Sequence, residues 1–320
     1  DAITGWFRRR HGWQIRPEWV LHTTGVIPAL SAVIKALTQP GDKVLIQTPV
    51  YNHFFTSIHN SGCQAAESPL VYRNNTYTID FDDLERKAAD PAVKLMLLCN
   101  PHNPAGRVWT PAELHRIGEL CLRHDVVVVA DEIHCELVMP GFRYTPFASL
   151  CEEFERRSVT CTSPSKAFNL AGLQVANIFA ADAALRARIG HSLQINETGE
   201  IGPFAIEALI AAYDEGAEWL DALNEYLHGN YRFSREYFDR NLPQYPVLPL
   251  EGTYLVWVDC RASGLTSDEL ETKLLEEAKL RINPGAIYGE AGRDFIRLNI
   301  ACPRKLLAEG LDRLRKVLKR

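Results

Sequence analysis

An acidic and a basic residue each stand shortly after an apolar run of the chain. Asp131 directly follows residues 126–130 (VVVVA), and Lys166 follows residues 158–162 (SVTCT) after a Ser-Pro-Ser step. A carboxylate at the end of a buried strand needs a partner, which could be an arginine, a metal ion or a protonated pyridine nitrogen. A lysine on a loop is by default a solvated charge. Lys166 becomes a candidate for a functional residue only because it follows a predicted strand, as the other polar segments do.

Two further segments carry groups that can bind an anion or an oxygen. Residues 24–29 (TGVIPA) predict a glycine turn that opens a helix, where free N–H groups attract phosphate, although such a glycine is more often only a turn. Residues 100–104 (NPHNP) follow an apolar run, and two Asn-Pro pairs fix the loop. The Asn103 amide could donate a hydrogen bond to an anionic or phenolic oxygen, but the pattern also fits a plain strand-terminating turn.

Two motif matches indicate other chemistries and are weaker. His134 and Glu136 have the H-x-E spacing of zinc deaminases, but no P-C-x-x-C segment follows them. Residues 163–166 (SPSK) match the S-x-x-K of penicillin-recognising serine enzymes, but the chain lacks S-D-N and K-T-G. We therefore expect no metal site and no serine nucleophile of that type.

The elements that must position these groups follow a β/α pattern. Strands are predicted at residues 43–48, 94–99, 126–130 and 158–162, and their continuous apolar runs are typical of strands covered on both faces. Helices are predicted at residues 29–37 and 111–124, the latter with Thr110 as N-cap. The sequence thus predicts an α/β fold with a mainly parallel sheet, whose carboxyl edge is where ligands bind.

The pattern changes near residue 240. Residues 215–241 contain few helix breakers and predict one long helix. After it, residues 253–259 and 295–300 alternate like half-buried strands, and residues 267–279 and 304–318 predict amphipathic helices. We expect a large domain over residues 1–240 and a small C-terminal α+β domain over residues 241–320.

The composition excludes several kinds of partner. The 320 residues are 46% hydrophobic with a net charge of −5, so we expect no nucleic-acid and no membrane partner. No apolar stretch approaches the roughly 20 residues of a membrane span. Eight cysteines are scattered singly, without a C-x-x-C pair, which predicts packing residues in a reducing compartment, the cytoplasm. The chain starts without Met and in what looks like mid-domain sequence, so we expect the native polypeptide to begin earlier.

The motifs occur in an order that resembles one family. Together they are similar to class I/II aminotransferase-fold enzymes that depend on pyridoxal 5′-phosphate (PLP): G-V-I-P-A at 25–29, N-P-H-N-P-A-G at 100–106, D-E-I-H at 131–134, S-P-S-K at 163–166 and F-I-R-L-N-I-A-C-P-R at 295–304. Within them the chain resembles the MalY/PatB group of cystathionine β-lyases, also called cysteine-S-conjugate β-lyases. The resemblance implies the aspartate-aminotransferase-like fold (fold type I), with a mainly parallel seven-stranded sheet in the large domain.

The resemblance also implies a role for each matched residue. Lys166 would form the Schiff base with PLP and carry the α-proton of the substrate, and Asp131 would pair with the pyridinium nitrogen. Asn103 would bond the phenolic oxygen of the cofactor beside His134, while Tyr51 would stack on the ring. The remaining assignments are the phosphate contacts of Gly25, Val26, Ile27, Ser163 and Ser165, and the substrate contacts of Arg297 and Asn103.

Two departures from the aminotransferase pattern favour the lyase group. Gln174 stands where many aminotransferases have an arginine, and His134 stands where they have a tyrosine. The predicted reaction is β-elimination from cystathionine or another cysteine S-conjugate, an amino-acid substrate, to thiol, pyruvate and ammonia. A class I/II aminotransferase and a non-catalytic PLP-fold binding or regulatory module remain alternatives. The resemblance further implies a homodimer with active sites at the subunit interface.

Overall fold

The computed structural model describes residues 1–319. Its α-helices are α1 (Ala2–His11), α2 (Val26–Leu37), α3 (His53–Asn60), α4 (Phe81–Ala88), α5 (Pro111–Arg123), α6 (Glu152–Arg156), α7 (Ala183–Ile195), α8 (Pro203–Glu215), α9 (Ala217–Asn241), α10 (Ser267–Ala278) and α11 (Arg304–Leu318). Its strands are β1 (Val20–Thr23), β2 (Lys43–Ile46), β3 (Gln64–Glu67), β4 (Val71–Arg73), β5 (Thr76–Thr78), β6 (Val93–Cys99), β7 (Val127–Asp131), β8 (Ser158–Thr162), β9 (Ala176–Phe179), β10 (Leu255–Asp259), β11 (Asn283–Pro284) and β12 (Phe295–Asn299).

Seven strands form the main sheet, in the order β1-β9-β8-β7-β6-β2-β3. Strands β8, β7, β6, β2 and β3 are parallel to one another, whereas β9 runs antiparallel to both β1 and β8. The expected α/β fold with a mainly parallel seven-stranded sheet is therefore confirmed.

Both faces of this sheet are covered by apolar packing. Along β6, Leu95 and Leu97 belong to one buried cluster, and Met96 and Leu98 belong to another. Successive side chains of a strand point to opposite faces, so the two clusters lie on the two sides of the sheet. This double burial explains why the central strands are apolar without interruption.

A second, antiparallel sheet follows in the order β10-β12-β11. It shares a buried cluster with α10, α11 and α9, and α9 contributes Leu227, Tyr231 and Phe238 to this cluster. Because α9 spans residue 240 and contributes to this core, the boundary that the sequence predicts there stays a prediction. No helix within residues 1–319 is long and apolar enough to cross a lipid bilayer.

The prediction of a single helix over residues 215–241 is wrong at the start of this range. Helix α8 ends at Glu215 and α9 begins at Ala217, with Gly216 between them. A Cβ atom at Gly216 would lie 2.4 Å from the carbonyl oxygen of Ala212 and 2.5 Å from the ring of Phe168. The carbonyl oxygen and the ring together leave no room for a side chain at this position, and no local pattern reveals the contact with Phe168.

Candidate active site

A cavity of about 310 Å³ lies at the carboxyl edge of the main sheet. Strands β2, β6, β7 and β8 are parallel, so the segments that follow them meet at one edge. Ten of the residues predicted from the sequence line this cavity: Gly25, Val26, Ile27, Tyr51, Asn103, Asp131, His134, Ser165, Lys166 and Arg297. The fold thus brings together side chains that are up to 272 positions apart, from residue 25 to residue 297.

Asp131 ends β7 as a buried acid, 3% exposed. One carboxylate oxygen accepts a hydrogen bond from the backbone N–H of Ile133 at 3.2 Å. Burial raises the pKa of Asp131 to about 7, against smaller opposing effects of that N–H and of the Lys166 charge. No Lys, Arg or His within residues 1–319 forms an ion pair with it, so this carboxylate can take a cationic partner from within the cavity.

Lys166 lies on the turn after β8, half-buried, and lines the same cavity as Asp131. Its charge acts on both Asp131 and His134. The arrangement places a primary amine and a buried carboxylic acid around one space, on neighbouring parallel strands.

His134 is buried at 4% exposure, and its ring packs edge-on against Tyr254 with 5.8 Å between centroids. Burial, together with the charges of Lys166 and Arg297, lowers the pKa of His134 to about 3. Its imidazole is therefore neutral at physiological pH and retains both a donor and an acceptor nitrogen. Its Nδ1 has no hydrogen-bond partner in the part of the chain that is described.

Tyr51 follows β2 and contacts the rings of His53 and Phe54. Burial raises the pKa of Tyr51 to about 12, so its phenol stays neutral. The preceding residue, Val50, donates its N–H to the carbonyl oxygen of Tyr288 at 2.9 Å, which ties this loop to the C-terminal part of the chain.

Arg297, in the middle of β12, reaches the cavity from the second sheet. Its Nη1 donates to Oδ1 of Asn103 at 3.1 Å, and its Nη2 donates to Oδ1 of Asn283 at 3.0 Å. Its guanidinium carbon lies 4.9 Å from the ring centroid of Tyr288. Burial lowers the pKa of Arg297 below its ordinary value.

The amino end of α2 opens on the cavity at Gly25, Val26 and Ile27. No side chain caps this end and its first turn holds no acid. The first N–H groups of a helix have no partner within it, and the helix dipole favours an anion there. This geometry suits a phosphate group.

The two serines predicted beside this helix end differ in position. Ser165 lines the cavity, whereas Ser163 is not among the lining residues. The Ser163 hydroxyl donates to the carbonyl oxygen of Val175 at 2.6 Å and accepts from the N–H of Ser165 at 3.0 Å. In this arrangement Ser163 holds the loop of Ser165, and its own contact to a phosphate stays a prediction.

Sequence reasoning missed three residues that bear on the cavity: Tyr254, Asn299 and Asn283. Tyr254 was expected inside a strand, but β10 starts at Leu255 and Thr253 adopts a positive φ of 71°. This bend leaves Tyr254 at the cavity. No sequence signal distinguishes these residues from ordinary polar positions in an alternating strand.

A group of potential metal ligands lies outside this cavity. His11, Cys135 and Glu136 bring their ligand atoms within 4.8 Å of one another. Oε1 of Glu136 already accepts from Trp6 Nε1 at 2.6 Å and pairs with His11 Nε2 at 2.8 Å. These bonds tie α1 to the loop after β7, which accounts for the group as packing. The expected absence of a metal site stays a prediction.

Comparison with known proteins identifies the family. A family model described as aminotransferase class I and II matches residues 1–314. Cystathionine β-lyase PatB of Bacillus subtilis is 43% identical over 318 residues, which cover 99% of this chain and 82% of that protein. Protein MalY of Escherichia coli is 35% identical over 317 residues, covering 97% and 79%.

Among solved structures, cystalysin from Treponema denticola, which contains a PLP cofactor, superposes with a TM-score of 0.97. It is 37% identical, and the match covers 99% of this chain and 81% of that one. The chain belongs to the aminotransferase class I and II family, within its MalY/PatB group.

Proposed function

We propose that the protein is a PLP-dependent carbon–sulfur lyase that converts cystathionine or another cysteine S-conjugate to thiol, pyruvate and ammonia. One observation carries the proposal: Lys166 and the buried acid Asp131 line the same cavity, beside the amino end of α2. The similarity to cystathionine β-lyase PatB supports the same reaction.

The residues of the cavity fit PLP. Asp131 is buried with a raised pKa and no cationic partner among residues 1–319, and a protonated pyridine nitrogen would supply one. The amino end of α2 would hold the phosphate. Asn103 and the neutral His134 would bond the phenolic oxygen. Tyr51 would cover one face of the ring, and Lys166 would carry the covalent link.

When bound, PLP supplies an electron-withdrawing ring that stabilises negative charge at the α-carbon of the amino acid. Arg297 binds the substrate carboxylate through paired N–H groups and so orients the α-hydrogen. The Nζ atom of Lys166, half-buried at the cavity, would take the α-proton and return a proton to the departing sulfur. The carboxylate of Asp131 would pair with a protonated ring nitrogen, and it is already in place, so that this pairing needs no reorganisation.

The net reaction consumes one water for each substrate. The Cβ–S bond of the conjugate breaks and the sulfur leaves as a thiol with one proton. The remaining three-carbon fragment takes up water and gives pyruvate and ammonia. No external oxidant or reductant is needed.

An aminotransferase would share the removal of the α-proton and differ in where the proton returns. Gln174 and His134, both of which line the cavity, differ from the aminotransferase pattern. These features favour the lyase.

Incubation of the holoenzyme with cystathionine, with no keto acid added, tests the proposal. We expect pyruvate and free thiol in equal amounts. Formation of glutamate only when 2-oxoglutarate is present would instead identify an aminotransferase. PLP binding with no turnover of any cysteine S-conjugate would identify a non-catalytic module.

We also propose a homodimer that is formed through α7 and α8. Large apolar side chains are exposed at the end of α7 and along α8: Ile195 at 69%, Phe204 at 80%, Ile206 at 43% and Ile210 at 40%. Clustered exposed apolar residues are typical of an interaction surface, and a twofold dimer covers it with the same surface of a second copy. The family resemblance implies that the active sites lie at the subunit interface.

The dimer is tested with Phe204→Glu, which should shift the sedimentation coefficient from dimer to monomer. Phe142→Glu, which changes another exposed aromatic residue (47% exposed) outside α7 and α8, serves as control and should remain dimeric. Dimeric Phe204→Glu protein would contradict the proposed surface.

We further propose that the protein works in the cytoplasm. All eight cysteines are free, and six of them are buried, which suits a reducing compartment. Cell fractionation with an antibody to the protein tests this, and recovery in a secreted or periplasmic fraction would contradict it.

A further inference from the structure

The guanidinium group of Arg297 is held by three neighbours that carry no charge. Oδ1 of Asn103 and Oδ1 of Asn283 accept from its two terminal nitrogens at 3.1 and 3.0 Å, and the ring of Tyr288 faces it at 4.9 Å. We call Arg297, Asn103, Asn283 and Tyr288 the arginine clamp. Its members come from the loop after β6, from β11, from β12 and from the loop between the two strands.

Asn283 faces Arg297 because of strand register. The two residues are direct partners in the antiparallel pair of β11 and β12, so their side chains stand on the same face of the small sheet. Strand β11 is only two residues long and continues into the turn that carries Tyr288. The pairing of this short strand with β12 thus brings the amide of Asn283 to the guanidinium group of Arg297.

The clamp leaves the charge of Arg297 without a counter-ion. Within residues 1–319 no carboxylate forms an ion pair with Arg297, and its Nε atom has no hydrogen-bond partner. A buried cation normally acquires an acid, because an unpaired buried charge is disfavoured. Here amide oxygens satisfy two nitrogens while the net positive charge stays available to an incoming anion.

We propose that Asn283 is a positioning residue that orients Arg297 and, by being neutral, reserves the guanidinium charge for the α-carboxylate of the substrate. The inference rests on the proposed function, in which Arg297 binds that carboxylate. An acid at position 283 would have nearly the same size and the same accepting oxygen, but it would neutralise the guanidinium in the free enzyme. Specificity for an α-carboxylate then depends on an amide at this position.

The test compares Asn283→Asp and Asn283→Ala with the wild-type holoenzyme. Each is assayed with S-benzyl-cysteine and with its methyl ester, which lacks the carboxylate charge. For Asn283→Asp we expect KM for the acid to rise about 10- to 100-fold, the range of a lost charge-assisted hydrogen bond, with kcat nearly unchanged. The ester should be used about as well as by the wild type. Asn283→Ala removes the acceptor without adding charge, and should raise KM for the acid only about 3- to 10-fold.

Gln244→Glu is the matched control, because it adds one negative charge on an exposed loop that does not line the cavity. It should leave both substrates unaffected. Equal losses for acid and ester in Asn283→Asp, or an unchanged KM for the acid, would overturn the proposal. If the Asp variant fails to retain PLP, the Ala variant decides alone, and an unchanged KM for the acid would overturn the proposal.

Failure of the lyase proposal can be distinguished from failure of this inference. If the wild type eliminates no thiol, binding is measured instead as the change in cofactor absorbance when amino acid or ester is added. A loss of acid-over-ester preference in Asn283→Asp then still supports the role of Asn283. An unaltered preference would reject it, whatever reaction the enzyme catalyses.

Discussion

Replacing Asp131 by asparagine should stabilise the cofactor-free protein more at pH 8 than at pH 5. The carboxyl group is 3% exposed, and burial raises its pKa from 3.8 to about 7. The folded state therefore binds this proton more tightly than the unfolded state does, and the contribution to stability is lost as the pH rises from about 4 to about 7. Asparagine keeps the oxygen that accepts from Ile133 and does not titrate.

The magnitude follows from the pKa change. A pKa change of one unit corresponds to about 1.4 kcal/mol. The rise in the pKa of Asp131 from 3.8 to about 7 therefore means that its ionisation destabilises the folded protein by up to about 4 kcal/mol. Part of this is already present at pH 5. The stability difference between variant and wild type should therefore grow by about 3 kcal/mol between pH 5 and pH 8. Glu132, whose pKa burial also raises to about 7, is present in both proteins and largely cancels.

Urea unfolding of both cofactor-free proteins measures this difference, at one protomer concentration because the protein is proposed to be a dimer. In the holoenzyme the order should reverse, since a ring cation would pair with Asp131 and asparagine cannot replace that charge. A stability difference between the cofactor-free proteins that is the same at both pH values would refute the reasoning. It would mean that Asp131 ionises in the folded chain as it does in water.

Two further predictions concern Lys166 and Arg107. Lys166→Ala should abolish turnover. After borohydride treatment PLP should dialyse away from this variant, whereas the wild type should keep the reduced cofactor. Retention of the cofactor by the variant would exclude Lys166 as the attachment point. Arg107, with a side chain 11% exposed, pairs with Glu113 at 3.2 Å and Glu251 at 2.9 Å, so Arg107→Ala leaves two acids unpaired. It should lower the free energy of unfolding by about 3–5 kcal/mol in urea titrations, and a loss below about 1 kcal/mol would contradict this.

Features of local origin could be predicted from the sequence. The apolar runs of β6, β7 and β8 mark strands because both faces of the sheet are covered, and Thr110 caps α5 as the sequence predicts. The candidate residues after these strands line one cavity because parallel strands place their carboxyl ends at the same edge. Their individual roles remain predictions.

Features that depend on packing between distant segments could not be predicted. One such feature is the contact of Gly216 with the ring of Phe168, which lies 48 positions earlier. The position of Ser163 depends on its hydrogen bond to the carbonyl oxygen of Val175, the residue that precedes β9.

The amino-acid sequence alone was sufficient to predict the fold, the edge of the sheet that carries the site, and the types of chemical group found there. These follow from apolar periodicity, strand ends and motif order, all of which are written within short segments. Packing between distant segments determines that no described residue forms an ion pair with Asp131 and that Arg297 is held by neutral amides. The charge of a buried group depends on every neighbour that packing brings to it, and those neighbours come from segments that the sequence does not connect.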